Sequence, residues 1–253
     1  MNPKGNTILV TGGGSGIGRG LAEALHAEGN RVIIAGRRQS VLEAAAAANP
    51  GMQWLTVDME SAEGIKVFAD ELTKRFPALN VVINNAGIMR PEKLTDEPVD
   101  LANAEAIITT NLLGPIRLTA ALLPHLKKQA QATVINVSSG LAFVPLTLTP
   151  TYNATKAGIH SYTQSLRYQL RTTGVEVLEI IPPYVQTDLM GGAEDPRAMP
   201  LKDFLAETVA LLKQQPTPAE ICVERVKPLR FAAESGNYAA VFEGLNAAFE
   251  EGH

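Results

Sequence analysis

Tyr152 and Lys156 stand four residues apart, the spacing that puts two side chains on one face of a helix. A free tyrosine hydroxyl has a pKa of about 10, too high for efficient proton exchange near neutrality. A lysine ammonium beside it stabilises the phenolate and lowers that value. A second feature lies near the start of the chain. Thr11-Gly12-Gly13-Gly14-Ser15-Gly16-Ile17-Gly18 falls between a strand-like run and an amphipathic stretch. Such glycines allow a tight turn and bring bare backbone against a pyrophosphate. The helix start then supplies N–H groups and a partial positive charge. Taken singly, each feature has a bland counterpart: a plain turn, or a surface Tyr–Lys pair.

The elements that must position these groups alternate along the chain. Strands are expected at Thr7–Val10, Arg31–Ala35, Gln53–Val57, Val81–Asn84, Thr133–Val137 and Val175–Ile181. Helices are expected at Ile17–Glu28, Val41–Ala48, Ser61–Phe76, Val99–Lys128 and Tyr152–Thr172. The helix over 99–128 is interrupted near Gly114-Pro115. Further helices are expected over about 201–214, 217–234 and 239–249. Strict β-α alternation with short apolar strands predicts a doubly wound parallel sheet, Rossmann-like, with helices on both faces. Six strands are legible and a seventh is not. No linker divides the chain, so residues 1–253 read as one domain with a loop over about 184–216 and a helical tail.

The spacing T-G-x-x-x-G-x-G at Gly12, Gly16 and Gly18 resembles that of the classical short-chain dehydrogenase/reductase family. Other motifs follow in that family's order over roughly residues 7–190. They are Asn84-Asn85-Ala86-Gly87, Asn111-Leu112-Leu113-Gly114, Ser138-Ser139 and Tyr152-Asn153-Ala154-Thr155-Lys156. The resemblance implies an oxidoreductase that moves a hydride between a nicotinamide cofactor and a carbonyl or secondary alcohol. Tyr152 is then the acid and base, and Lys156 lowers its pKa and holds the ribose. Ser139, thirteen residues before Tyr152, takes the substrate oxygen. Ser138 is one residue out of register. Asn111 anchors a water that links Lys156 to solvent. The segment 217–246, with Pro182-Pro183, resembles a bacterial subgroup labelled for the teichoic-acid D-alanylation operon.

Cofactor choice turns on the end of the second strand, where an acid accepts from the ribose of NAD and an Arg receives the extra phosphate of NADP. Here the chain reads Ala35-Gly36-Arg37-Arg38, which favours NADP(H) over NAD(H). The resemblance adds Asp58 at the adenine amino group and Met59 at its ring. It brings Ser15 and Ile17 into the pyrophosphate loop, and Asn85, Ala86 and Gly87 against the cofactor. Pro182, Val185 and Thr187 follow strand six, Val185 and Thr187 holding the carboxamide. Pro183 replaces the family's usual glycine, so the local backbone there is expected to differ.

The pocket between Ser139 and Tyr152 is expected to be apolar, from Leu141, Phe143, Val144, Pro145 and Leu146, with Leu189, Met190 and Met199 from the later loop. That suits an uncharged apolar carbonyl or alcohol. Asp188, Glu194, Asp195 and Arg197 are expected to face water, and His160 to pack within its helix. A net charge of −4 with no basic run disfavours nucleic-acid and membrane-surface partners. No apolar run approaches the roughly 18 residues of a spanning helix. His26, His125, His160 and His253 show no metal-ligand spacing. The single cysteine, Cys222, is expected in a buried helix without a redox role, and suits a reducing cytoplasm. In the family a seventh strand builds one tetramer axis, so its absence predicts a homodimer. The competing function is a non-catalytic dinucleotide sensor on the same fold.

Overall fold

The computed structural model describes residues 1–191 and 194–250. Gly192 and Ala193 of the expected loop, and His253, lie outside the described residues. The strands are β1 (Thr7–Thr11), β2 (Arg31–Gly36), β3 (Gln53–Thr56), β4 (Leu79–Asn84), β5 (Ala132–Val137), β6 (Val175–Ile181) and β7 (Glu220–Cys222). All pair in parallel, in the order β3-β2-β1-β4-β5-β6-β7. The helices are α1 (Gly16–Ala27), α2 (Gln39–Ala47), α3 (Ala62–Arg75), α4 (Ala102–Ile108) and α5 (Gly114–Leu126). They continue with α6 (Pro150–Leu170), α7 (Leu201–Leu212), α8 (Lys227–Arg230) and α9 (Tyr238–Glu250).

Side chains alternate across each strand, so two cores form. Ile8 and Val10 of β1 join Leu21 and Leu25 of α1 and Phe204 of α7 on one face. Leu9, between them, joins Phe68 and Leu72 of α3 and Leu118 and Leu122 of α5 on the other. Chain order reverses between β1 and β4, which opens a crevice at their C-terminal ends.

The seventh strand corrects the sequence reading. Glu220–Cys222 pairs with Glu179–Ile181 of β6, where a helix was expected. Three residues are too short to show a strand period, and only the exposed edge of β6 recruits them. Cys222 is therefore a strand residue, half-buried, and burial pushes its thiol up to about 11. The presence of β7 also removes the premise on which a dimer was inferred.

The interruption expected near Gly114-Pro115 is a change of helical pitch just before it. A π-turn over Thr109–Leu113 joins α4 to α5, with Gly114 N donating to the Thr109 carbonyl. Pro115 has no N–H to give Asn111, four residues earlier, and the wider turn absorbs the mismatch. A window of 18 residues within Ala102–Leu126 meets the length and composition of a membrane span. That corrects the expectation that no run approaches this length. The run carries Glu105 and Arg117 and packs against α3 and α6.

Candidate active site

The crevice is a cavity of about 610 Å³. Its near wall is the glycine loop. Thr11 Oγ1 accepts from the N–H groups of Asn85 (3.0 Å) and Ala86 (3.1 Å), and Asn85 Nδ2 donates to the Thr11 carbonyl at 2.9 Å. These bonds lock the ends of β1 and β4 together. Gly12 has φ +67°, and a Cβ there would stand 2.9 Å from Asn85 Nδ2. Ser15 precedes α1 without a side-chain cap, and the first turn holds no acid. The N–H groups of Gly16, Ile17 and Gly18 thus begin a helix at the cavity wall, a natural anion seat. This cradle fits the pyrophosphate of a dinucleotide.

Arg37 and Arg38 border the same wall. Arg38 donates to Ser15 Oγ at 3.3 Å. Arg37 pairs with Glu60 at 3.1 Å, a partner that sequence reading missed. Asp58 lies beside them, its carboxylate accepting from Glu60 N at 3.0 Å. Met59 is buried beneath the wall, against Gly114.

The far wall carries Tyr152 and Lys156, both buried on α6. Lys156 Nζ lies 5.5 Å from the Tyr152 ring centroid. Ser139 caps the turn after β5, its Oγ accepting from Leu141 N at 3.1 Å, and borders the same cavity as the phenol. Burial pushes the phenol up to about 12, with the nearby Ser139 hydroxyl opposing. Burial pushes Lys156 down to about 8, with the Glu179 carboxylate opposing. A protonated phenol in a buried pocket is equipped to donate.

Asn111 sits in the π-turn and clamps the Ile88 backbone. Its Oδ1 accepts from Ile88 N and its Nδ2 donates to Ile88 O, each at 2.8 Å. A Cβ on Gly87 would lie 3.3 Å from Asn111 Oδ1 and 3.8 Å from Lys156 Nζ, so these three residues meet. After β6, Pro182, Val185 and Thr187 border the cavity. A Cβ on Gly16 would meet Thr187 at 3.5 Å, so this loop closes over the start of α1. Among the described residues, φ is positive outside glycine at Met190 alone, so Pro183 sits in ordinary backbone.

A family profile described as short chain dehydrogenase matches residues 6–198. The chain belongs to the short-chain dehydrogenase family. An uncharacterised oxidoreductase of Bacillus subtilis (strain 168), DltE, is 37% identical over 249 residues, covering 97% of this chain and 98% of the relative. This agrees with the subgroup resemblance. Among solved structures, a short chain dehydrogenase from Burkholderia cenocepacia J2315 in complex with NADP is 25% identical, with TM-score 0.81. It covers 97% of this chain and 99% of that one. A short chain dehydrogenase/reductase from Burkholderia phymatum in complex with NAD has TM-score 0.79 at 18% identity, covering 93% and 95%, and shares the fold.

In this short-chain dehydrogenase the apolar lining of the cavity differs in part from expectation. Leu141, Leu146, Leu189 and Met190 line the cavity. Phe143, Val144, Pro145 and Met199 stand outside that lining. Phe143 packs edge-on against His160, and Met199 bridges to Val185. Asp195, expected in water, borders the cavity and pairs with Arg197 at 2.7 Å. The Arg197 guanidinium holds it down to about 2. Tyr184 donates to Asp195 at 3.2 Å. Leu229, Leu245 and Phe249 complete the wall from α8 and α9. Asn246 docks α9 by accepting from Thr147 N at 2.7 Å. No local signal marks these residues, because their role comes from a tail folding back over the site.

Proposed function

We propose that this oxidoreductase moves a hydride between NADP(H) and an uncharged, apolar carbonyl or secondary alcohol, with Tyr152 as acid and base. The observation that carries the reading is the shared cavity. The Ser139–Tyr152–Lys156 set lies on one wall, and the glycine loop with Arg37 and Arg38 lies on the other.

When bound, the dinucleotide supplies or accepts the hydride. The chain does the rest. Gly12, Ser15, Gly16, Ile17 and Gly18 receive the pyrophosphate. Arg37 and Arg38 receive the ribose phosphate, and Asp58 and Met59 flank the adenine. Asn85, Ala86, Gly87 and Pro182 complete the cradle, and Val185 and Thr187 hold the carboxamide. Ser139 orients the substrate oxygen, and Tyr152 Oη gives it a proton in the reducing direction. Lys156 favours the phenolate that remains. Asn111 keeps the Lys156 end of the site in place for proton exchange with solvent.

Apolar Leu141, Leu146, Leu245 and Phe249 support the substrate class. The proposal includes a cytoplasmic place, with neither nucleic acid nor membrane as partner. It also includes a homodimer, supported by exposed Ile108 and Leu113 on the long helical run. The test is titration with NADPH and NADH, read by nicotinamide fluorescence, followed by oxidation of NADPH with a panel of carbonyls. Tight NADPH binding with turnover supports the reading. Preference for NADH overturns the cofactor assignment, and binding without turnover across the panel favours a sensor.

A further inference from the structure

Beneath the catalytic set lies a buried polar cluster that the proposed reaction does not use. Glu179 of β6 is fully buried. Ser138 Oγ donates to its carboxylate at 2.5 Å, and His160 Nδ1 donates at 2.9 Å. The other ring nitrogen of His160 lies 3.1 Å from Gln164 Nε2, so both ring nitrogens have partners. Tyr152, Lys156 and His160 recur every four residues on the sheet-facing side of α6.

Three consecutive residues at the end of β5 then meet three different partners. Val137 O accepts from Lys156 Nζ at 2.8 Å. Ser138 is bound to Glu179. Ser139 faces the cavity that Tyr152 also lines. Displacing Ser138 therefore moves both neighbours, one of which holds the lysine while the other presents its hydroxyl to the cavity.

The charges around Glu179 favour the same reading. His160, Glu179 and Glu220 bring ligand atoms within 4.8 Å of one another, a spacing that suits a metal ion. A cation already serves Glu220: the Arg230 guanidinium of α8 pairs with it at 2.7 Å and with Glu234 at 2.7 Å. Cys222 of β7 faces the cluster with its thiol pushed up to about 11. From α6, the Lys156 ammonium is favoured by the Glu179 carboxylate, while its Nζ is held at Val137 O beside Ser138.

We propose that Glu179 is a positioning residue of the reaction, anchoring the β5 end through Ser138 and balancing the Lys156 ammonium from inside the sheet. This rests on the reading of Tyr152 and Lys156 given above. The role is structural and electrostatic together, and the two parts separate experimentally.

The test uses full-length protein labelled with 13Cε-lysine, with the Lys156 signal assigned by Lys156→Met. Its titration is followed by NMR in wild type, Glu179→Gln and Glu179→Asp. Removing the negative charge disfavours the ammonium, so the Lys156 midpoint in Glu179→Gln is expected to fall by about one pH unit. Glu179→Asp keeps the charge and is expected to restore the wild-type midpoint. An unmoved midpoint in Glu179→Gln overturns the proposal. This readout needs neither cofactor nor turnover, so it stands even where no carbonyl is reduced. Where turnover is found, the alkaline limb of kcat moves down with the midpoint, whereas a merely structural role lowers kcat at every pH. Should Glu179→Gln fail to fold, Ser138→Ala carries the test. It is expected to lower kcat by about tenfold with NADPH affinity retained, and unchanged kcat overturns the anchoring role.

Discussion

The Lys156 ammonium donates a 2.8 Å hydrogen bond to the carbonyl oxygen of Val137. One bond thus ties the helix of Tyr152 and Lys156 to the strand end that carries Ser139. It also holds the charge in a buried place, where burial pushes Lys156 down to about 8. Turnover is accordingly expected to fall as pH rises through about 8, as the ammonium is lost. Stability moves the other way. Between about 8 and the ordinary lysine value of about 10.4, the unfolded chain binds the extra proton, so raising pH there favours the fold. Rate profiles and denaturation curves at matched pH check both signs, and a rate that stays flat to pH 10 removes the charged lysine from the mechanism.

Tyr152→Phe removes the proton donor and keeps the ring. Turnover is expected to fall by about 10²- to 10⁴-fold. NADPH affinity is expected to change by less than about twofold, because the phenol acts on the substrate oxygen. Steady-state rates with fluorescence titration decide it, and retained turnover takes Tyr152 out of its role.

Arg37 and Arg38 differ in their present partners, Glu60 and Ser15. Both are exposed, so their mutual ties are weak against a phosphate dianion. The double change to alanine is expected to weaken NADPH by about 10- to 100-fold, from the loss of charged hydrogen bonds. NADH is expected to lose far less. Equal losses for both cofactors would show that these arginines do not read the phosphate.

Asn136 is fully buried and joins three elements below the site. It accepts from Asn84 Nδ2 at 2.8 Å and donates to Thr163 Oγ1 of α6 at 2.8 Å. Asn136→Ala strands polar groups on β4 and is expected to cost about 1–3 kcal/mol. Urea denaturation measures it, and an unchanged midpoint would mean the network carries no net stability.

Six strands, the glycine loop and the Tyr152–Lys156 spacing were legible because each is written in a short stretch of chain. A turn, a period or a helical face needs only near neighbours. The motif residues of β1, β4, β5 and α6 reach one cavity because parallel strands end on one side of the sheet. Other features depend on distant pairings. The strand β7 exists only against β6, the Glu60 partner of Arg37 lies twenty-three residues away, and Phe249 reaches the site from the far end of the chain. His160 illustrates the limit: its helix face was readable, whereas its hydrogen bond to Glu179 was not. The sequence by itself determined the fold class, the glycine loop and the candidate catalytic set. The tertiary structure alone decided the sheet edge, the substrate wall and the buried partners, because packing brings together residues whose separation along the chain leaves no periodic trace.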